Sequence, residues 1–287
     1  MIGRLAGKEI KVSSLENYVR QVSEIREAWL ADSADELWFR GEDEKHHKTT
    51  LLPELYRSTK PLDKVLEMED RLFREFKRCG VQYSDFDPED DWNWYSVIQH
   101  HGGPTRLLDW SDGSLMAAHF ATRSKMTPEE LKTGAIVYVL DPHWLIKLID
   151  DQPETKARRA IWDEKPKTKA IPEDDRDGEY EDIWLPGDKE DFQEDPLPAQ
   201  PFLLETEQIT RRVAAQRSRF MVFGSDDAYL RRLVGANGSR IQKIRIPAEY
   251  IPKMQLDLRD CGITESVIFP DLDGLGREIK QLWVSVR

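Results

Sequence analysis

The sequence predicts an α+β fold, a mixed or antiparallel central sheet flanked by helices, and three observations predict it. Amphipathic helical segments fall before and between apolar strand segments, without the regular alternation of a doubly wound sheet. No glycine-rich nucleotide loop follows a strand. Residues 150–200 interrupt the pattern with an irregular, acidic, proline-rich insertion. The chain therefore divides into a helical lead-in, residues 1–35, and a main domain, residues 36–287, that carries the insertion.

The segment SSLENYVRQVSEIREAWL places Leu15, Val19, Val22, Ile25 and Trp29 at three- and four-residue spacing behind a serine cap, which predicts an amphipathic helix. ELWFRG reads as a short aromatic strand ending at Gly41. LDKVLEMEDRLFREFKRCG is a second helix, with Val65, Met68, Leu72, Phe73 and Phe76 inward and Gly80 at its end. A helix from Asp91 is stopped by Gly102, Gly103 and Pro104. TRLLDW is then a buried strand, SLMAAHFATRS a helix of small residues, and GAIVYVLD a core strand. After the insertion, SRFMVFG and RIQKIRIP read as strands separated by the helix DDAYLRRLV, and two helices, AEYIPKMQLDLRDCGI and one beginning at DLDGLGREIKQLW, follow.

Composition narrows the function classes. With 287 residues, 39% of them hydrophobic, and nine tryptophans, the chain can fill a substantial core. No apolar run approaches the roughly 20 residues that span a bilayer, and MIGRLAGKEIKVSS lacks the apolar stretch of a secretory signal, so a cytoplasmic protein without a membrane partner is expected. Cys79 and Cys261 stand far apart and predict buried or idle thiols rather than a disulfide or zinc site. The net charge of −12 is concentrated: residues 150–200 hold 17 acidic against 8 basic side chains. The remaining body is close to neutral, so the global figure neither excludes nor suggests a nucleic-acid substrate.

The stretch QHHGGPTRLLDW, residues 99–110, concentrates groups that bind, exchange protons or turn. The turn brings His100 and His101 to the mouth of the strand. Alternation points Thr105, Leu107 and Asp109 to one side and Arg106, Leu108 and Trp110 to the other. A partly buried Asp109 needs a cation or several donors, which Arg106, Arg40 or a histidine could supply, in a structural turn or an active site. Arg40 ends the aromatic strand, and Gly41 beside it lets backbone turn or approach a ligand. Its guanidinium fork suits phosphate or carboxylate, although a structural ion pair would use the same geometry. The adjacent pairs His46/His47 and His100/His101 lack metal-ligand spacing, so no metal is expected. Ser111 and Ser114 lack a G-x-S-x-G elbow.

Five blocks in order, LWFRGE (37–42), LLPELYR (51–57), QHHGGPTRLLDWSDGSLMAAHFA (99–121), RRVAAQRSRFMVF (211–223) and GITESVIFPDLDGLG (262–276), closely resemble the FRG domain family, named for its Phe-Arg-Gly motif. The resemblance covers most of residues 36–280, and the insertion falls between its blocks. A weaker resemblance links the FRG strand to the ADP-ribosyltransferase fold, in which an arginine followed by glycine on the first strand binds NAD phosphate, as Arg40 and Gly41 would here. The third motif of those enzymes normally supplies a glutamate, where this chain offers Gln216.

These resemblances imply an ADP-ribosyltransferase-like enzyme that uses NAD as substrate, acting as a bacterial toxin or antiphage effector on a protein or nucleic-acid acceptor. Arg40, His100, Asp109 and Gln216 are the implied catalytic residues, and Arg40, Gly41, Gln99, Thr105 and Arg106 the implied cofactor-binding residues. Cleavage of the nicotinamide bond develops positive charge on the ribose, and Gln216 carries none, so Asp109 or Glu42 would take the electrostatic role. An antitoxin or regulatory partner would restrain such an activity. The competing reading is a non-catalytic module that senses a nucleotide in the same pocket and recruits a protein. A metal-dependent nuclease ranks below both, because the only dense carboxylates lie in the insertion.

Overall fold

Seven strands form one mixed sheet in the computed structural model, which describes residues 9–30, 36–83, 91–123, 133–157, 197–204 and 210–285. In chain order they are β1 (Ile10–Lys11), β2 (Trp38–Glu42), β3 (Leu107–Ser111), β4 (Ala135–Leu140), β5 (Phe202–Leu204), β6 (Ser218–Val222) and β7 (Ile241–Ile246). Across the sheet the order is β1-β7-β4-β2-β3-β6-β5. Only β1 and β7 run parallel, and the other neighbours are antiparallel. The helices are α1 (Leu15–Leu30), α2 (Leu62–Gly80), α3 (Asp91–His100), α4 (Ser114–Thr122) and α5 (Pro142–Asp150), followed by α6 (Arg211–Gln216), α7 (Tyr229–Leu233), α8 (Ile251–Asp260), α9 (Glu265–Ile268) and α10 (Leu272–Ser285). The α+β class and the mixed sheet agree with the sequence pattern.

Strand alternation divides the core. Phe39, Val137, Val139, Ile244 and Ile246 face α1, α4 and α8. Trp38, Leu108, Trp110, Ile136 and Met221 face the opposite layer, where α5 contributes Leu145 and α7 contributes Leu230. A third cluster joins Leu107, Phe220 and Val222 to Phe73 of α2 and to Trp92 and Tyr95 of α3. The split of Leu107 from Leu108 and Trp110 is the one that alternation predicts.

Several elements differ from the sequence reading. Val19 is 47% exposed, because Tyr18 takes the inward position on α1 and its hydroxyl donates to the Ser114 carbonyl at 2.7 Å. On α2, Leu72 faces solvent, while Val65, Glu69 and Phe73 form the buried four-residue row. Residues 153–157, inside the segment read as irregular, are helical. Residues 158–196, most of the insertion, lie outside the described residues. Neither cysteine is buried: Cys79 is half-buried and Cys261 exposed.

Two candidate ligand-binding residues serve packing instead. Arg106 is fully buried, and its Nε donates to Glu69 Oε2 at 2.6 Å. Tyr95 donates to the other oxygen of Glu69 and accepts the Arg106 backbone N–H at 2.7 Å. The triad pins the entrance of β3 to α2 and α3, and it explains how an acidic residue occupies the inward row of α2. Gly41 has ordinary backbone angles, but a Cβ there would lie 1.9 Å from the Ala117 carbonyl oxygen. The missing side chain admits α4 against β2, which is a helix contact rather than a ligand contact.

Removing one member of a buried ion pair strands the other charge, at a cost of about 3–5 kcal/mol, whereas replacing both with apolar groups is often near neutral. Arg106→Leu should therefore lose about that much in urea unfolding, and Arg106→Leu combined with Glu69→Leu should recover most of it. A single variant as stable as wild type would remove the pair from this role.

Candidate functional site

Beyond one register pair, Phe39 with Ser111, β2 and β3 part. Arg106 O and Asp112 N bond toward β6, to Phe223 and Arg217 respectively, so alternation turns the Asp109 carbonyl toward β2. It meets a side chain there instead of a backbone N–H: Arg40 Nη1 donates to Asp109 O at 2.7 Å. The strands thus form a fork, bridged by one guanidinium whose side chain is 12% exposed.

Arg40 is aimed by a buried carboxylate. Glu42 Oε1 accepts from Arg40 Nε at 2.9 Å and from the Leu51 N–H at 3.0 Å, and its Oε2 accepts from the Thr50 hydroxyl at 2.6 Å. Thr50 also bonds the Tyr138 hydroxyl, 2.7 Å away, on the strand residue that pairs with Arg40. Leu51 adopts left-handed angles, φ 51°, to present its N–H, a conformation that costs a non-glycine residue about 1–3 kcal/mol. The three bonds into Glu42 are what hold it. Arg57 stands nearby, its guanidinium on the Leu52 carbonyl at 3.1 and 3.3 Å. Burial, and then the Arg40 charge, lower its pKa from the ordinary value.

On the other branch a relay sets Asp109. Thr105, fully buried, donates to Gln99 Oε1 and accepts the Leu107 N–H at 3.1 Å. That contact leaves the Gln99 amide nitrogen to donate to Asp109 Oδ2 at 2.8 Å. Asp109 is only half-buried and opposes Phe220 across the ladder. The His100 ring meets Phe220 edge to face, centroids 5.4 Å apart, and its Nε2 is buried without a hydrogen-bond partner among the described residues. Burial lowers the His100 pKa, against the opposing pull of Asp109.

The fork therefore brings together Arg40, Gln99, His100, Thr105 and Asp109, with Thr105 acting through Gln99. Gln216 is bonded elsewhere. Its main-chain oxygen accepts from Ser111 Oγ at 2.8 Å, while its side-chain amide donates to the Ile268 carbonyl at 3.3 Å, toward α9. Arg106 and Gly41 belong to the packing described above. Thr50, Arg57 and Tyr138 complete the site without having been singled out: Arg57 closes the LLPELYR block, whereas Tyr138 is brought in by strand register, for which the sequence carries no local signal.

Among the described residues, no group of three or more His, Cys, Asp or Glu side chains is arranged to hold a metal ion, and no helix is long and apolar enough to cross a membrane. The chemistry open to the fork is that of fixed charges. A guanidinium can meet an anion, a half-exposed carboxylate can face developing positive charge, and a neutral imidazole can take a proton.

A model of one protein family, the FRG domain, matches residues 35–130, a span that includes β2, the 99–110 stretch, β3 and α4. No curated protein and no solved structure matches the chain.

A depressed histidine pKa makes the unfolded chain the better proton binder below about 6.5, so folding stability from His100 is present above that pH and lost as pH falls through the folded value. The His100→Gln variant should lose less stability than wild type between pH 7.5 and pH 5.5 in urea titrations. An equal loss in both proteins would contradict the burial of a neutral imidazole.

Proposed function

From an FRG domain that holds an arginine between two parted strands, we propose an ADP-ribosyltransferase-like function in which the fork binds NAD and passes its ADP-ribosyl group to a protein or nucleic-acid acceptor. The observation that carries the reading is the geometry of Arg40, held by Glu42 and the Asp109 carbonyl where the two central strands β2 and β3 part. A diphosphate suits a guanidinium presented on a rigid strand, with Arg57 close enough to share the charge. The orphaned Nε2 of His100 beside Asp109 fits a ligand hydroxyl or ring nitrogen, because an unsatisfied buried polar atom costs about 1–3 kcal/mol.

In the proposed reaction the bond between ribose C1′ and the nicotinamide nitrogen breaks, and its electron pair leaves with nicotinamide. The Asp109 carboxylate, oriented by Gln99, faces the positive charge that develops on the ribose. The acceptor's lone pair forms the new bond to C1′, and its proton passes to the neutral imidazole of His100. Gln216 enters this scheme only if its amide leaves the Ile268 carbonyl. A transferase that consumes NAD would be toxic on expression, which supports the reading of a bacterial toxin or antiphage effector restrained by an antitoxin or regulator.

The second reading, a nucleotide sensor without turnover, is favoured by one specific observation: Gln216 stands where a glutamate is expected, and its amide is committed to the Ile268 carbonyl. Incubation with labelled NAD separates the two. Under the leading reading, nicotinamide is released and label appears on an acceptor, Arg40→Lys weakens NAD binding at least tenfold, and Asp109→Asn lowers turnover on the order of a hundredfold at little cost in binding. Measured NAD binding without release or labelling would leave the sensor. Binding unchanged in Arg40→Lys would remove Arg40 from the site.

A further inference from the structure

A cavity of about 520 Å³, with no residue of the fork in its lining, lies between α4, α8 and α10. Its rim carries Arg123, Arg259, Arg277 and Lys280, and its carboxylates are Glu265 and Glu278. Both carboxylates are turned to the protein. Glu265 accepts from Arg277 Nε at 2.9 Å and lies 3.4 Å from His119 Nε2, and these neighbours hold its pKa down to about 2. Glu278 accepts the Ser266 N–H at 2.8 Å. Arg123 and Lys280 are exposed, and no carboxylate among the described residues comes within ion-pair distance of either. Arg259 has Asp260 at 4.0 Å and Arg277 has Glu265, so Arg123 and Lys280 are the two charges that this concave space leaves to a ligand.

The aromatic neighbour of the cavity sharpens the case. Guanidiniums of Arg277, Arg123 and Arg212 lie 4.7, 5.0 and 5.7 Å from the centre of the single Phe269 ring. Arg277 and Arg212 are balanced by Glu265 and Asp271, which leaves the Arg123 guanidinium as the charge beside this ring that an anion can still meet. Leu256, Ile263 and Leu282 give the same cavity an apolar wall, and Thr264 and Gln255 give it neutral polar groups. A lining that combines cations with aliphatic side chains, in a space of this volume, suits a ligand with a phosphate head and a flat apolar body.

We propose that this cavity is a second binding site, distinct from the fork, that takes a nucleoside phosphate. Its phosphates lie against Arg123, Arg277 and Lys280, and its base lies on the leucine and isoleucine wall. Between the cavity and the fork stands Arg212, which shares the Phe269 ring with Arg277 and Arg123, pairs with Asp271 at 2.6 Å and donates to the His100 carbonyl at 3.4 Å.

The test is calorimetric titration of ADP into the full chain, in wild type, in Arg40→Lys, in Arg123→Ala with Lys280→Ala, and in all three changes together. Arg123 and Lys280 are exposed, so their removal leaves folding intact, as thermal melts will verify. ADP should bind the Arg40→Lys protein, and adding the Arg123 and Lys280 changes should weaken that binding at least tenfold. The proposal is overturned if wild type does not bind ADP, if Arg40→Lys alone abolishes binding, or if adding the paired change leaves the affinity of the Arg40→Lys protein unaltered. Retained ADP binding in Arg40→Lys alongside a wild type that ignores NAD would sink the fork reading and leave the cavity standing.

Discussion

One guanidinium spans the point where the sheet opens. Arg40 takes the carbonyl of Asp109 that a continued ladder would have given to backbone, and a buried glutamate two residues further along the same strand keeps it there. The consequences spread in both directions. Toward the 3-10 turn Glu44–Thr49 that follows β2, Glu42 draws in Thr50 and forces Leu51 into a left-handed conformation. Toward α3, the parted strand leaves Asp109 half-buried, where Gln99 and Thr105 fix its carboxylate. The opening persists because the strands on either side are independently anchored, β2 by five register pairs to β4 and β3 by five to β6.

The fold was largely legible in the sequence because its core strands are apolar and its major helices are periodic. The reading of β3 as a strand with Leu107 and Leu108 on opposite faces needed only alternation. Tyr18 and Glu69 were not legible in the same way. Hydropathy prefers Val19 to Tyr18 and places Glu69 outside, and in both cases a distant partner, the Ser114 carbonyl or the Arg106 guanidinium, reverses the preference. The short strands β1 and β5 carry too few residues to declare a period, and they form because a sheet edge is available to them.

The site was legible in part. Arg40, Gln99, His100 and Asp109 converge, since a turn between a helix and a strand brings nearby residues to one place, and alternation selects the face. Arg106 and Gly41 show why residue type alone misleads. An arginine beside a functional turn and a glycine beside a functional arginine both suggested ligand contact, but the one is consumed by a buried carboxylate and the other by the close approach of α4. Gln216 had been placed by its motif, whereas its side chain is committed by a carbonyl of α9 that no local pattern announces.

The account rests on the fork being a place where a phosphate-bearing molecule enters, and a crystal structure of the full chain with a non-cleavable NAD analogue tests that most directly. The account predicts diphosphate density within roughly 3.2 Å of the Arg40 guanidinium, with the sugar adjoining it facing Asp109. Analogue density elsewhere on the molecule, with Arg40 still closed on Glu42 and the Asp109 carbonyl, would contradict it.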